Sequence, residues 1–300
     1  MRLRDGCAVR LHAERAVRPH AARRVRTAGP ATVAAAAIGL VCVLSTAACA
    51  GGASTGPTAS PGASGSSPVS STSHVSGTVT VFAAASLTGT FTALGHAFEA
   101  AHPGTTVRFS FAGSSALAQQ ILAGAPVDVF AAASPETMSQ VTGAAPTGRA
   151  VPVVFARNRL EIAVPAGNPA HVTGLADLTK PALRIALCAP QVPCGAAAAA
   201  VFAAAGLTPA PDTLEQDVKA VLTKVELGEV DAGLVYRTDV IAGGAAVRGI
   251  DFPQSSAAVT QDPIVALPDA PNPTAAQSFV DLVRSAQGRA VLAAAGFDVG

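Results

Sequence analysis

The chain has 300 residues, half of them hydrophobic, and a formal net charge of only +1. Eight of the 20 Lys and Arg residues, but only two of the 19 Asp and Glu residues, lie in the first 48 positions, so residues 49–300 carry a net charge of about −5. Such an acidic body excludes nucleic acid as an expected partner, because binding to a phosphate backbone requires a surplus of basic side chains. Attraction for any anion would have to come from local dipoles.

Residues 1–48 have the features of an export signal. A basic region is followed by an apolar run over residues 31–44 and by small residues that lead to Cys49. The apolar run is shorter than a membrane-spanning helix. Residues 44–49 (LSTAAC) resemble a bacterial lipobox, whose cysteine becomes the lipidated N-terminus, although Thr46 stands where leucine is preferred. We expect a lipid on Cys49; the alternative is an ordinary signal that is cleaved nearby without lipidation.

Residues 49–77 are predicted to be the lipidated cysteine and a flexible linker. The segment after Cys49 is rich in Gly, Ser, Thr, Pro and Ala and contains no Asp, Glu, Lys or Arg. Such a composition cannot bury a core. A flexible chain of this length spans roughly 30 Å, which suits a tether between a membrane and a globular domain. We therefore expect an exported protein that a lipid anchors to the outer face of the cell membrane.

Strand and helix patterns alternate along the rest of the chain, which predicts α/β layers. Strands are predicted near residues 79–85, 107–111, 127–132, 160–164, 183–187, 233–236 and 264–267. Helices are predicted near residues 87–98, 117–122, 135–141, 196–205, 218–225 and 279–283.

Two of the predicted strands are followed by a serine at the start of a helix. Ser86 follows the first strand, and Ser114 follows the second, about one βα unit later. The start of a helix has free N–H groups and binds anions. Two such starts aimed at one cleft predict a receptor for a small oxyanion. The alternative is that each serine only caps its helix.

Six short segments stand out together along the chain. They are residues 82–87 (FAAASL), 111–117 (FAGSSAL), 124–130 (GAPVDVF), 192–195 (VPCG), 216–219 (QDVK) and 233–236 (GLVY). In order and spacing they resemble the molybdate-binding proteins of bacterial molybdate ABC transporters. The resemblance covers essentially all of residues 77–300. It implies an α/β, two-lobed type II periplasmic-binding-protein fold, in which each lobe is a mixed sheet flanked by helices and two strands form the hinge.

The resemblance also implies how the chain divides. Residues 78–159 and 262–300 would form lobe 1, and residues 160–261 would form lobe 2. The cleft between the lobes would hold one molybdate or tungstate ion. The implied contacts are the hydroxyls of Ser86, Ser114 and Tyr236 and the backbone N–H groups of Cys194 and Val218. Cys194 replaces an alanine that is common at its position, which should be harmless if the backbone makes the contact.

These residue types suit molybdate, a dianion that has acceptors and no donors. A site made only of hydroxyls, N–H groups and helix starts matches it. Hydrogen phosphate would leave its proton unpaired in such a site, and sulfate would have to be excluded by pocket size. Lys219 and Arg237 directly follow two of the segments, and we expect both side chains to be exposed. The alternative function is the same fold binding sulfate or phosphate.

Cys188 and Cys194 remain in the exported part, where a disulfide is expected between them. It would close a short loop that contains two prolines and would fix the backbone N–H of Cys194. A metal site on cysteine or histidine lacks any known ligand spacing, so the only metal expected is that of the molybdate itself.

A serine hydrolase that uses Ser86 is a further alternative, and the sequence argues against it. The chain has no Gly-x-Ser-x-Gly elbow and no histidine placed to act as a base. Asp128 and Asp217 are expected to cap helices or face solvent rather than to act as catalytic acids. The resemblance therefore implies a monomeric solute-binding protein, without enzymatic activity or a cofactor, that delivers its oxyanion to a permease.

Overall fold

Two five-stranded sheets organise the chain in the computed structural model, which describes residues 75–144 and 151–300. These described residues belong to one compact unit. The predicted export signal, Cys49 and nearly all of the predicted linker lie outside them. Within the described ranges, no helix has both the length and the hydrophobicity that crossing a membrane requires.

Strands and helices alternate through most of these ranges. In chain order, the strands are β1 (Gly77–Ala84), β2 (Thr105–Ala112), β3 (Val129–Ala131), β4 (Val153–Asn158), β5 (Leu160–Pro165), β6 (Ile185–Cys188), β7 (Thr213–Glu215), β8 (Ala232–Tyr236), β9 (Val247–Ile250) and β10 (Thr260–Ala266). The α-helices are α1 (Thr88–Ala101), α2 (Ser114–Leu122), α3 (Pro135–Thr142), α4 (Pro193–Ala205), α5 (Val218–Glu226), α6 (Arg237–Gly243), α7 (Pro273–Arg284) and α8 (Ala286–Ala294).

The first sheet is mixed and has the strand order β2-β1-β3-β10-β4. β1 runs parallel to β2 and β3, whereas β10 is antiparallel to both of its neighbours. Side chains of a strand alternate between the faces of its sheet. Val79 and Val81 of β1 pack with α1, α7 and α8 on one face, and Phe82 packs with α2 and α3 on the other. Helices therefore cover both faces of the first lobe.

The second sheet is also mixed and has the strand order β7-β6-β8-β5-β9. β6 is parallel to β7 and β8, and β5 is antiparallel to β8 and β9. One core joins this sheet to α4 and α5, with Val201 and Val221 among its fully buried members. The second lobe thus has a core of its own, and the predicted two-lobed α/β architecture with mixed sheets is confirmed.

The chain crosses between the lobes twice. Arg159 alone separates β4 of the first sheet from β5 of the second. The return from β9 to β10 passes through a 3-10 segment, Pro253–Ala258. Beside the first crossing, the buried Asn158 donates a hydrogen bond of 2.8 Å from its amide nitrogen to the hydroxyl of Thr238 in α6. The two crossings form the hinge, and the predicted lobe boundaries stay a prediction.

Five elements of the structure were not predicted from the sequence: β4, β7, β9, α6 and α8. β7 and β9 contain three and four residues, which is too few to show an alternating pattern. α6 spans only seven residues. α4 begins at Pro193 rather than at residue 196, because the small residues of its first turn carry no apolar stripe that could mark its start.

Phe91 of α1 lies at the centre of the first lobe and is fully buried. Its ring centroid lies 6.4 Å from that of Phe109, 5.8 Å from that of Phe155 and 5.9 Å from that of Phe279. These three rings come from β2, β4 and α7. Phe91 therefore joins the early and late parts of the chain in one aromatic cluster.

Replacing Phe91 by alanine should lower the free energy of unfolding by about 3–5 kcal/mol, because the substitution removes a buried ring and leaves a cavity. Urea unfolding followed by circular dichroism measures this value. Val151→Ala is the control, since that side chain is 80% exposed and should change stability by no more than about 0.5 kcal/mol. A loss smaller than about 1 kcal/mol for Phe91→Ala would contradict the central position of this ring.

Candidate functional site

Helix starts from the two lobes converge on one small cavity. From the first lobe, α2 and the 3-10 turn Ala85–Leu87 that leads into α1 face the cavity. From the second lobe, the starts of α4 and α5 and the end of β8 face it. The cavity has a volume of about 20 Å³, far below the roughly 300–1,000 Å³ of sites for drug-sized molecules. Only a ligand of a few atoms fits.

All five residues that were predicted to contact a ligand line this cavity. They are Ser86, Ser114, Cys194, Val218 and Tyr236. The other lining residues are Ala84, Ala85, Ala112, Gly113, Ala133, Val192, Pro193 and Asp217. None of these lining residues is Lys, Arg or His. Any attraction for an anion therefore comes from helix dipoles and neutral donors.

The two serines do not cap their helices with their side chains. Ser86 is 8% exposed, and its hydroxyl has no hydrogen-bond partner among the described residues. Ser114 is 1% exposed, and its hydroxyl oxygen accepts a hydrogen bond of 3.0 Å from the backbone N–H of Ala133. That bond leaves the hydroxyl hydrogen of Ser114 free to donate. Both hydroxyls are thus available as donors at the cavity, and the capping alternative is not supported.

The second lobe supplies backbone donors from the first turns of α4 and α5. Pro193 opens α4 and has no N–H group, so the amide of Cys194 is the first donor of this helix. Val218 opens α5, directly after Asp217. N–H groups in the first turn of a helix have no acceptor within that helix. Since Cys194 and Val218 both line the cavity, these amides are suited to bind an acceptor there.

Tyr236 adds a third hydroxyl from the end of β8. Its side chain is 2% exposed, and the hydroxyl has no hydrogen-bond partner among the described residues. Burial and the nearby carboxyls of Asp262 and Asp239 raise the pKa of this hydroxyl well above its usual range, and the neighbouring side chain of Thr260 opposes this effect without a well-formed hydrogen bond. The phenol is therefore neutral at physiological pH and can donate its hydrogen.

Comparison with known sequences identifies the family. The profile of the family described as bacterial extracellular solute-binding protein matches residues 79–298. The chain belongs to this family.

This solute-binding protein is similar to the molybdate-binding protein ModA of Mycobacterium tuberculosis (strain ATCC 25618 / H37Rv), with 41% identity over 219 residues, 73% of this chain and 84% of the relative. Its fold matches the Azotobacter vinelandii periplasmic molybdate-binding protein with a TM-score of 0.63 and 22% identity, over 74% of this chain and 99% of the other. The sulfate-binding protein SubI from M. tuberculosis H37Rv matches with a TM-score of 0.62 and 18% identity, over 73% and 86%. These likenesses confirm the predicted type II periplasmic-binding-protein fold.

A disulfide in this solute-binding protein joins Cys188, at the end of β6, to Cys194 in the first turn of α4. The loop between the two cysteines packs closely against the helix start. A Cβ atom on Gly195 would lie only 1.9 Å from the carbonyl oxygen of Ala189, so a larger residue would displace the loop. The disulfide and this close approach together hold the Cys194 amide at the wall of the cavity.

A buried ion pair lies behind Val218 and Tyr236. Asp239 of α6 is fully buried; its Oδ1 lies 3.0 Å from Nζ of Lys219, and its Oδ2 accepts a hydrogen bond of 3.2 Å from the backbone N–H of Tyr236. Burial raises the pKa of Asp239, and the Lys219 ammonium opposes this effect. The pair therefore connects the segments that carry two of the predicted ligand contacts.

The prediction that Lys219 is exposed is wrong, because its side chain is only 31% exposed and is paired with Asp239. The physical reason is that α5 packs against α6, which brings the first turns of both helices together. Arg237 is exposed, as predicted. Asp239 could have been noticed in the sequence, since it follows Tyr236 by three residues, the spacing of a capping box.

Two other acids accept hydrogen bonds from backbone N–H groups. Asp217 lines the cavity, but its carboxylate caps α5 by accepting a hydrogen bond of 3.0 Å from the N–H of Ala220. Asp128 is buried and accepts hydrogen bonds from the N–H groups of Thr80 and Asn272. Among the described residues, no group of three or more His, Cys, Asp or Glu side chains is arranged to hold a metal ion.

The two lobes touch directly beside the cavity. The hydroxyl of Ser115 in α2 donates a hydrogen bond of 2.7 Å to the carbonyl oxygen of Gln191 in the second lobe. A Cβ atom on Gly113 would lie 2.2 Å from the carbonyl oxygen of Gln216, also in the second lobe. Only glycine lets the lobes approach this closely, so the described structure is a closed form.

Replacing both Cys188 and Cys194 by alanine should lower the free energy of unfolding by about 2 kcal/mol, because the unfolded chain regains the freedom of a short loop. Urea unfolding with and without a reducing agent measures the effect. The reducing agent should destabilise the wild type by about the same amount and leave the double variant unchanged. Equal stability of the two proteins under oxidising conditions would contradict this role of the disulfide.

Proposed function

We propose that this protein captures one molybdate or tungstate ion between its lobes and delivers it to an ABC permease. The observation that carries the proposal is the set of donors around a cavity of about 20 Å³, in which the buried hydroxyls of Ser86 and Tyr236 have no partner among the described residues. An oxyanion supplies the acceptors that these hydroxyls need. The 41% identity to a protein named as molybdate-binding supports the choice of ligand.

The composition of the cavity also bears on which oxyanion fits. The carboxylate of Asp217 already accepts the N–H of Ala220, and the five proposed contacts are donors only. Hydrogen phosphate carries a proton that needs an acceptor, so such a site disfavours it. Sulfate has the same charge and shape as molybdate, and the likeness to the fold of a sulfate-binding protein keeps it as the alternative ligand.

We propose binding without catalysis and without a cofactor. Ser86 would be the only nucleophile of the hydrolase alternative, yet no histidine lines its cavity. A serine without a base is a poor nucleophile. The same hydroxyl is a good donor to a bound anion, which agrees with its burial beside a helix start.

Capture would be coupled to closure of the lobes. Ser86 and Ser114 lie in the first lobe, whereas Cys194, Val218 and Tyr236 lie in the second. One ion that bridges them binds the closed form better than the open form and shifts the population towards it. The closed form would then be the one that the permease recognises. We propose that the protein acts as a monomer tethered to the membrane by a lipid on Cys49.

Isothermal titration calorimetry of the purified full-length protein with molybdate, sulfate and phosphate tests the proposed function. We expect one molybdate ion to bind per chain, with no heat from the other two anions. Binding of sulfate in place of molybdate would establish the alternative ligand. No heat of binding with any of the three anions would refute the oxyanion site.

Ser86→Ala should weaken molybdate binding by about 10- to 150-fold, because it removes one hydrogen bond to a charged ligand. Ser139→Ala is the matched control. Ser139 is an exposed serine of α3 whose hydroxyl donates a hydrogen bond to the carbonyl of Pro135 in its own helix, so this variant should bind as the wild type does. Unchanged affinity of Ser86→Ala would remove this residue from the site.

Gly113→Ala should weaken molybdate binding by about 5- to 150-fold, since a methyl group that meets Gln216 costs about 1–3 kcal/mol in the closed form. Gly89→Ala is the control, because a Cβ there would meet no atom within 4 Å. Calorimetry gives the affinities, and small-angle X-ray scattering with saturating molybdate should give Gly113→Ala the larger radius of gyration. Wild-type affinity of Gly113→Ala would show that binding does not require this close contact.

A further inference from the structure

Two buried carboxyls lie behind the cavity, and only one of them has a cationic partner. Asp239 is paired with Lys219, as described above. Asp262 of β10 is 1% exposed, and neither of its side-chain oxygens has a hydrogen-bond partner among the described residues. A buried carboxylate without donors or a cation is costly. The side chain of Asp262 thus has no hydrogen-bond partner among the described residues, and it is not one of the proposed ligand contacts.

Asp262 lies where the two lobes meet. β10 returns the chain from the second lobe to the first, and the residue opposite Asp262 on β4 is the uncharged Ala156. The titratable groups that face it come from the second lobe: Tyr236 at the end of β8 and Asp239 at the start of α6. Lys219 of α5 reaches this group through Asp239. In the closed form, Asp262 thus lies near a tyrosine that lines the cavity and near another acid.

The charge balance of this cluster requires a proton. Lys219 supplies one positive charge, and ionised Asp239 and Asp262 would supply two negative ones. Burial and the charge of Asp239 raise the pKa of Asp262 to about 8. Asp262 is therefore neutral at pH 7 in the closed form described here.

We propose that Asp262 takes up one proton as the cleft closes around the oxyanion, so that capture of a dianion is coupled to proton uptake. This inference rests on the proposed function. The proton comes from solvent and forms an O–H bond on the Asp262 carboxylate, and no other bond changes. Opening the cleft hydrates the carboxyl and lets it ionise, as aspartate ordinarily does above a pH of about 4.

Tyr236 connects this acid to the ligand. Tyr236 lines the cavity, and the charge of Asp262 acts on its hydroxyl. An ionised Asp262 would therefore place negative charge behind the donor that faces the dianion, and protonation removes this repulsion. Since Asp262 with a pKa of about 8 is mostly protonated in the bound form at pH 7 and half protonated at pH 8, raising the pH from 7 to 8 should weaken molybdate binding by about fivefold.

Calorimetry of the full-length protein with molybdate, at pH 7 and pH 8 and in buffers with different heats of ionisation, counts the protons. Molybdate is a dianion throughout this range and contributes none. Since the pKa of Asp262 is about 8 in the closed form, the wild type should take up close to one proton per ion bound at pH 7 and about half a proton at pH 8. Asp262→Asn, which keeps the shape and removes the titration, should bind molybdate without proton uptake and with an affinity that no longer falls with pH.

Glu161→Gln is the matched control. Glu161 lies on β5 near the same hinge, and burial raises its pKa too, but it is not among the groups whose charge acts on Tyr236 or Asp262. This variant should keep the proton uptake of the wild type. If the wild type binds molybdate with a heat of binding that is the same in all buffers, no proton is taken up. That result overturns the proposal and leaves the proposed function intact. Loss of uptake in Glu161→Gln but not in Asp262→Asn also overturns it, and a wild type that binds no molybdate refutes both.

Discussion

The site depends on one constraint, which is that the first-turn N–H groups of a helix find no acceptor inside the helix. Helix starts from both lobes direct such groups and their dipoles at the same small cavity, and three buried hydroxyls complete the set. A donor set of this kind can hold an anion without a basic side chain. This explains how a body with a net charge of about −5 can be suited to an oxyanion.

The remaining features keep these donors within reach of one small ion. Gly113 and Gly195 let backbone segments approach so closely that no side chain would fit between them. The disulfide fixes the start of α4, and Asp239 holds the segment that carries Tyr236. A cavity of about 20 Å³ selects by size only if its walls are fixed to a fraction of an ångström. Structural and binding roles are therefore shared by the same few residues.

The sequence predicts the features that depend on local patterns. Ser86 and Ser114 could be placed at helix starts because a strand pattern ends and a helix pattern begins beside each of them. The five residues at the cavity followed from short segments that resemble a known family. By contrast, Lys219 was misjudged and Asp262 was overlooked, because their environments arise from contacts with distant parts of the chain. The clash that makes Gly113 necessary is with Gln216, which the sequence alone does not place nearby.

The position of β10 determines the order in which the two lobes can complete their folding. β10 lies between β3 and β4, and α7 and α8 complete the core around Phe91. The first lobe therefore needs the last forty or so residues of the chain, whereas the sheet of the second lobe is contiguous from β5 to β9. As the polypeptide emerges from the N-terminus onwards, the second lobe can finish folding while the first still exposes a gap in its sheet. The first lobe is thus the first to be synthesised and the last to complete its fold. Until β10 fills the gap, this lobe is the one more exposed to aggregation.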